Sequence, residues 1–295
     1  MSTRLPTDLS THVLADAFAN RLQRFAAKVA RTGDAQVAYR QSGSNYITHV
    51  LLHGIGSASG NWLMQLEAVA NSTQSGLLAW DAPGYGGSSP VAPLQPQAAD
   101  YAARLWAWLD ALNVSQPITL VGHSLGALMV TRAASERPDR VNRLVLLAPA
   151  QGYAKAPAAE REKKLSDRLS QLAQLGPHGL GQQRGASMVS THAAPELVAY
   201  VQRMMSQINV AGYSQAAHLL AAGELMADLP QVRCPIAVAS GQLDNATPMA
   251  ACKAVAQAAA TPWSDLGPVG HACALEASAQ VNAILKLTPE KETTP

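Results

Sequence analysis

A chain of 295 residues with 48% hydrophobic side chains is long enough for one large or two modest domains with a full core, so disulfide staples and structural metals are not required. Lys and Arg number 22 against 20 Asp and Glu, a net charge of +2 spread without long runs of one sign, which argues against nucleic acid as partner. No uncharged apolar run approaches the ~20 residues of a membrane span, so a soluble globular protein with no membrane partner is expected.

Over residues 7–24, Leu14, Phe18, Leu22 and Phe25 recur at three- and four-residue steps, the period of one helix face. This predicts an N-terminal helical extension, residues 1–24, packed on the body or on another subunit, which leaves a homo-oligomer open. The segment has no apolar stretch of the ~7–15 residues that a secretory signal needs, and it is expected to stay on the mature protein. Residues 25–31 and 36–40 flank Gly33-Asp34 and predict an opening hairpin.

The texture then becomes apolar strand, Gly-rich turn and helix, repeated. Strands are predicted at 48–52, 77–80, 118–121, 143–147, 236–239 and 263–266, with helices at 100–112, 127–137, 249–260 and 275–287. Strands apolar on both faces are covered by helices on both sides, so the sheet should be largely parallel. Between 151 and 230 no strand-like run occurs. Helical patterns at 158–175, 195–208 and 213–226 predict a helical insertion there, with Gly176-Pro177 ending the first of them. A short polar tail fills 288–295. The core is therefore 25–150 with 231–295. Cys234, Cys252 and Cys273 are odd in number and form no C-x-x-C pair, so reduced thiols in a cytoplasmic protein are expected, with no metal site and no cofactor.

Gly122-His123-Ser124-Leu125-Gly126 matches G-x-S-x-G and stands between an apolar strand and an Ala-rich helix. A nucleophile elbow needs that context, because small residues must flank a Ser whose Oγ projects above the sheet at a helix N-terminus. The alternative is a Ser that only caps the helix. A Ser hydroxyl needs a base and the base an orienting acid. Asp244, in Gly241-Gln242-Leu243-Asp244-Asn245-Ala246-Thr247-Pro248, follows the strand at 236–239 and lies at the carboxyl edge of the sheet, where sites of open parallel sheets gather. Its alternative role is to cap the next helix. His271 follows Gly267-Pro268-Val269-Gly270, a loop flexible enough to return the imidazole over the elbow. Among the other histidines, His12 is read as a surface residue, His49 lies in a strand, and His178, His192 and His218 fall in the insertion.

A tetrahedral intermediate needs donors for its oxyanion. His53-Gly54-Ile55-Gly56-Ser57 ends an early strand, and the backbone N–H groups of Ile55 and of Leu125, next to the nucleophile, are the candidates. His53 itself is read as shaping that loop.

These segments, HGIG at 53–56, DAPGYGGS at 81–88, GHSLG at 122–126, GQLDNATP at 241–248 and GHACALE at 270–276, follow one another in an order that resembles the lidded enzymes of the α/β-hydrolase fold. The resemblance implies a mostly parallel eight-stranded sheet flanked by helices, with a helical lid inserted between strands 6 and 7. It also implies Ser124 as nucleophile, His271 as base and Asp244 as its partner. Haloalkane dehalogenases and epoxide hydrolases of this fold carry Asp at the elbow, so Ser124 counts against both. The pattern is similar to 3-oxoadipate enol-lactonases and to carbon–carbon hydrolases of aromatic meta-cleavage pathways. The latter carry a Gly- and Pro-rich oxyanion segment and a Trp after the His, where this chain has Ile55 and Ala272.

A small-molecule ester or lactone is therefore the expected substrate, cleaved through an acyl-enzyme. The alternatives are carbon–carbon hydrolysis, acyl or perhydrolase transfer, and a non-catalytic scaffold of the same fold. In the insertion seven basic residues face six acids, giving no bulk preference. Arg184, in Gly181-Gln182-Gln183-Arg184-Gly185, is a candidate anchor for a substrate carboxylate, since a planar guanidinium suits a bidentate grip. Its alternative is a solvated Arg at a helix end.

Overall fold

Alternating side chains of a strand point to opposite faces, and here both faces are apolar. In the computed structural model, which describes residues 7–287 and side chains from residue 15 onward, Leu52, Leu78, Trp80, Leu120 and Leu146 lie in one buried cluster. Leu51, Leu77, Ala79, Val121, Val145 and Leu147 lie in another. The strands are β1 Lys28–Thr32, β2 Ala35–Gly43, β3 Ile47–Leu52, β4 Gly76–Trp80, β5 Ile118–His123, β6 Val141–Leu147, β7 Ile236–Ser240 and β8 Trp263–Asp265. They form one eight-stranded sheet in the order β1-β2-β4-β3-β5-β6-β7-β8. β1 and β2 are antiparallel, as are β2 and β4, and every later pair is parallel.

Parallel neighbours need crossovers, and helices supply them. The helices are α1 Thr7–Gln23, α2 Leu63–Ala68, α3 Ala98–Ala111, α4 Gly126–Glu136, α5 Ala158–Arg184, α6 Pro195–Ser206, α7 Val210–Ala222, α8 Leu225–Asp228, α9 Met249–Ala258, α10 Cys273–Glu276 and α11 Ser278–Leu285. Leu105, Trp108 and Leu109 of α3 and Leu128 and Val130 of α4 cover the first cluster. Leu63 and Leu66 of α2 and Val281 and Leu285 of α11 cover the second. Each fully buried side chain of this size contributes about 1.5–3 kcal/mol. Helices α5 to α8 all lie between β6 and β7. Among the described residues no helix is long and apolar enough to cross a membrane.

Several boundaries differ from the expected ones. β1 opens at Lys28 rather than at 25, because Phe25 is buried and the Arg40 guanidinium donates to its carbonyl, which fixes the chain as a loop there. α2 had no sequence signal beyond a short apolar run. The helix expected at 158–175 continues to Arg184 after one break at Gly176, with φ 61° and ψ 176°. Pro177 then opens the second arm, a position where its missing N–H costs nothing. α7 starts at Val210, three residues early, because the Asn209 side chain accepts from the N–H groups of Ala211 and Gly212.

The helix expected at 275–287 is divided at Ala277. There the Gln65 amide donates to the Ala274 carbonyl and to Asn282 Oδ1. α1 lies on α6 through a Phe18–Tyr200 stack with centroids 5.1 Å apart and an Asp16–Arg203 ion pair of 2.8 Å. The polar tail at 288–295 and the side chains of His12 and Leu14 fall outside the described residues.

Candidate active site

β5 ends at His123 and α4 begins at Gly126, so Ser124 must turn the chain in two residues. It does so at φ 53°, left-handed backbone that an L-residue holds only where its surroundings enforce it. The Ser124 N–H donates to the Leu147 carbonyl at 3.0 Å, and its own carbonyl accepts from Ala127 and Ala150 at 3.0 and 3.1 Å. A side chain at Gly126 would collide with the Leu52 carbonyl, and one at Gly122 with Val130. The two glycines are therefore a packing requirement of the turn.

Asp244 lies past β7, 3% exposed. Its Oδ1 accepts from the N–H groups of Ala246 and Thr247 at 2.8 and 2.9 Å. Its Oδ2 lies 2.8 Å from the Thr247 hydroxyl and accepts from His271 Nδ1 at 2.8 Å. The turn-capping role and the histidine-orienting role coexist in one carboxylate. Burial alone would raise this carboxyl, but the His271 and Thr247 contacts outweigh it and hold it below the usual range. With Nδ1 committed to Asp244, Nε2 of His271 is left to face a ligand.

The loop carrying His271 is pinned from both sides. His123 Nε2–H donates to the His271 carbonyl at 2.8 Å. The Ala272 N–H donates to Met188 at 2.7 Å, and the Gly270 and Ser190 N–H groups share the Glu276 carboxylate. His123 is held neutral, its pKa lowered to about 3 by burial and by the adjacent His271. His53 Nε2 accepts from the Ala82 N–H at 3.0 Å, so Nδ1 carries the proton and donates to the Gly54 carbonyl at 2.8 Å. That pair of bonds fixes the loop in which Ile55 stands. Among the described residues, neither the Ile55 nor the Leu125 N–H meets a backbone acceptor outside the helices and strands.

Ser124, His271, Ile55 and Arg184 line one cavity of about 460 Å³, a volume that suits a small ligand. Tyr153, Arg168, Tyr213 and Thr247 line it too. Arg184 is half-buried there, not a solvated helix end, and burial and the neighbouring Arg168 push its pKa down. His178, His192 and His218 are not among the lining residues. Sequence reasoning missed Thr247, whose signal was its place three residues after Asp244. It also missed Arg168, for which the sequence holds no signal.

The model of a family described as the alpha/beta hydrolase family matches residues 50–284. Among curated proteins, the (E)-2-((N-methylformamido)methylene)succinate hydrolase of Acinetobacter baylyi is 29% identical over 199 residues, 66% of this chain and 72% of that protein. The (lyso)-N-acylphosphatidylethanolamine lipase of Bos taurus is 33% identical over 103 residues, 34% of this chain. The match spans only 29% of that lipase's length. Among solved structures, an enol-lactonase from Burkholderia xenovorans superposes with a TM-score of 0.75 at 20% identity, covering 88% of this chain and 99% of that one. At that identity the likeness is one of fold.

Proposed function

The chain belongs to the alpha/beta hydrolase family, and from that premise we propose that it is a serine hydrolase cleaving a small carboxylic ester or lactone through an acyl-enzyme. Ser124 Oγ attacks the carbonyl carbon while His271 Nε2 takes its proton. The Ile55 and Leu125 N–H groups receive the developing oxyanion, and His271 returns the proton to the departing alkoxide. A water molecule deprotonated by His271 then attacks the Ser124 ester, the acid leaves, and the serine regains its proton. Asp244 keeps the imidazole in the tautomer this sequence needs.

The observation that carries the reading is the 2.8 Å contact of His271 Nδ1 with Asp244, in a histidine that shares a cavity with a serine held at positive φ. Residues 25–150 and 231–295 act as the catalytic core, 151–230 as a lid over the cavity and 1–24 as an extension. Arg184 is the contact for a carboxylate on the substrate. The name of the Acinetobacter relative, a hydrolase of a substituted succinate, supports an acid-bearing substrate. Free thiols at Cys234, Cys252 and Cys273 support action in the reducing cytoplasm on a small molecule. The test is rapid mixing with p-nitrophenyl butyrate. The expected result is a burst of nitrophenolate equal to the enzyme concentration, followed by slower turnover. Steady release with Ser124→Ala as active as the wild type would reject the reading.

A further inference from the structure

The insertion between β6 and β7 holds seven basic residues, and their partners sort them. Lys155 pairs with Glu224 at 3.0 Å, Lys163 with Asp167 at 2.6 Å, Lys164 with Glu160 at 3.5 Å and Arg203 with Asp16 at 2.8 Å. Arg161, which does not line the cavity, has no carboxylate within ion-pair distance among the described residues, and neither have Arg168 and Arg184. Both are half-buried and both line the cavity that holds Ser124 and His271.

Their meeting is not a consequence of helix spacing. In a straight α-helix, positions 168 and 184 stand about 24 Å apart. The helix is broken between them at Gly176, and one cavity is lined by an arginine from each arm. The lining includes no aspartate or glutamate among the described residues. One Arg168 donor reaches the Tyr213 hydroxyl at 3.3 Å, and among the described residues the remaining donors of that group and all those of Arg184 have no side-chain acceptor. Two half-buried like charges without a counter-ion are costly, and a single carboxylate would leave one of them uncompensated.

We propose that the cavity takes a small substrate bearing two carboxylates, received one each by Arg168 and Arg184. The separate arms suit two spaced carboxylates better than one compact phosphate. The lowered pKa of Arg184, caused by burial and by Arg168, is relieved when the anions arrive. This rests on the cavity being the active site, and it extends the reading of Arg184 to a second, unassigned residue.

The test is calorimetric binding of glutarate, butyrate and inorganic phosphate to Ser124→Ala protein. The expected result is glutarate binding at least tenfold tighter than butyrate, with Arg168→Gln and Arg184→Gln each removing at least tenfold of that affinity. Arg168→Lys should recover part of the loss, and thermal melting of each variant shows whether the fold is kept. Equal binding of glutarate and butyrate, phosphate binding tighter than glutarate, or full affinity in a folded Arg168→Gln would each overturn the inference. The two readings fail separately. Glutarate binding without turnover of any ester removes the hydrolase and keeps the dianion site. Turnover of p-nitrophenyl butyrate with no preference for glutarate does the reverse.

Discussion

Asp244 accepts four hydrogen bonds, two from backbone and two from the side chains of Thr247 and His271, so its replacement separates geometry from charge. Asparagine can still accept at Oδ1 from Ala246 and Thr247, which keeps the turn. Its amide, however, would donate toward Nδ1 and force the proton of His271 to Nε2, the wrong tautomer for a base. Asp244→Asn should therefore fold normally and lose about 10⁴-fold in kcat on an activated ester, the magnitude of the same change in another triad. Steady-state kinetics with a thermal melt of the same sample checks this. Near wild-type kcat would point to a different acid.

At the scale of elements, α5 carries the most consequential irregularity. Gly176 sits at φ 61°, ψ 176°, a region that is essentially glycine's alone, and a side chain there would meet nothing within 4 Å. Gly176→Ala therefore costs backbone strain and no collision, about 1–3 kcal/mol. The chain can relieve it by re-aiming the second arm, which bears Arg184. A modest fall in melting temperature with a larger loss of kcat/KM on an acid-bearing ester than on a neutral one is expected. Unchanged kinetics on both esters would mean that the second arm does not set the cavity.

The same segment shows where the sequence ceased to be legible. Gly176-Pro177 is a strong stop signal by local rules, but the helix resumes because proline is tolerated as the first residue of a new arm. The strands were readable because two-sided apolar runs repeat between glycine turns, and GHSLG because packing against Leu52 and Val130 forbids any other residue at its ends. The division of α10 from α11 was not readable, since it depends on Gln65, more than 200 positions away. Arg168 joins the cavity through the same kind of tertiary fact.

Over the whole molecule, burial holds several histidines neutral. His49, His53 and His123 all have pKa values lowered from 6.5, chiefly by burial, His123 to about 3. In the unfolded chain each would take a proton below about 6.5, while the folded protein resists it. Stability is thus complete above that pH and falls as pH drops toward the folded values, by about 1.4 kcal/mol per unit for each group. Asp244, held below the usual carboxylate range, adds loss of the same sign at still lower pH. Urea midpoints should stay level from pH 7.5 to about 6.5 and fall from there to pH 5. A flat or rising midpoint in that lower range would mean that these imidazoles are protonated in the folded state.

All of these arrangements converge on one claim, that the hydroxyl of Ser124 forms the covalent bond. Intact-mass and peptide mapping after treatment with a serine-directed fluorophosphonate tests it most directly. A single added mass is expected on the peptide containing residues 122–126, lost in Ser124→Ala together with turnover of p-nitrophenyl butyrate. Labelling on another residue, or an active enzyme that takes no label, would contradict it.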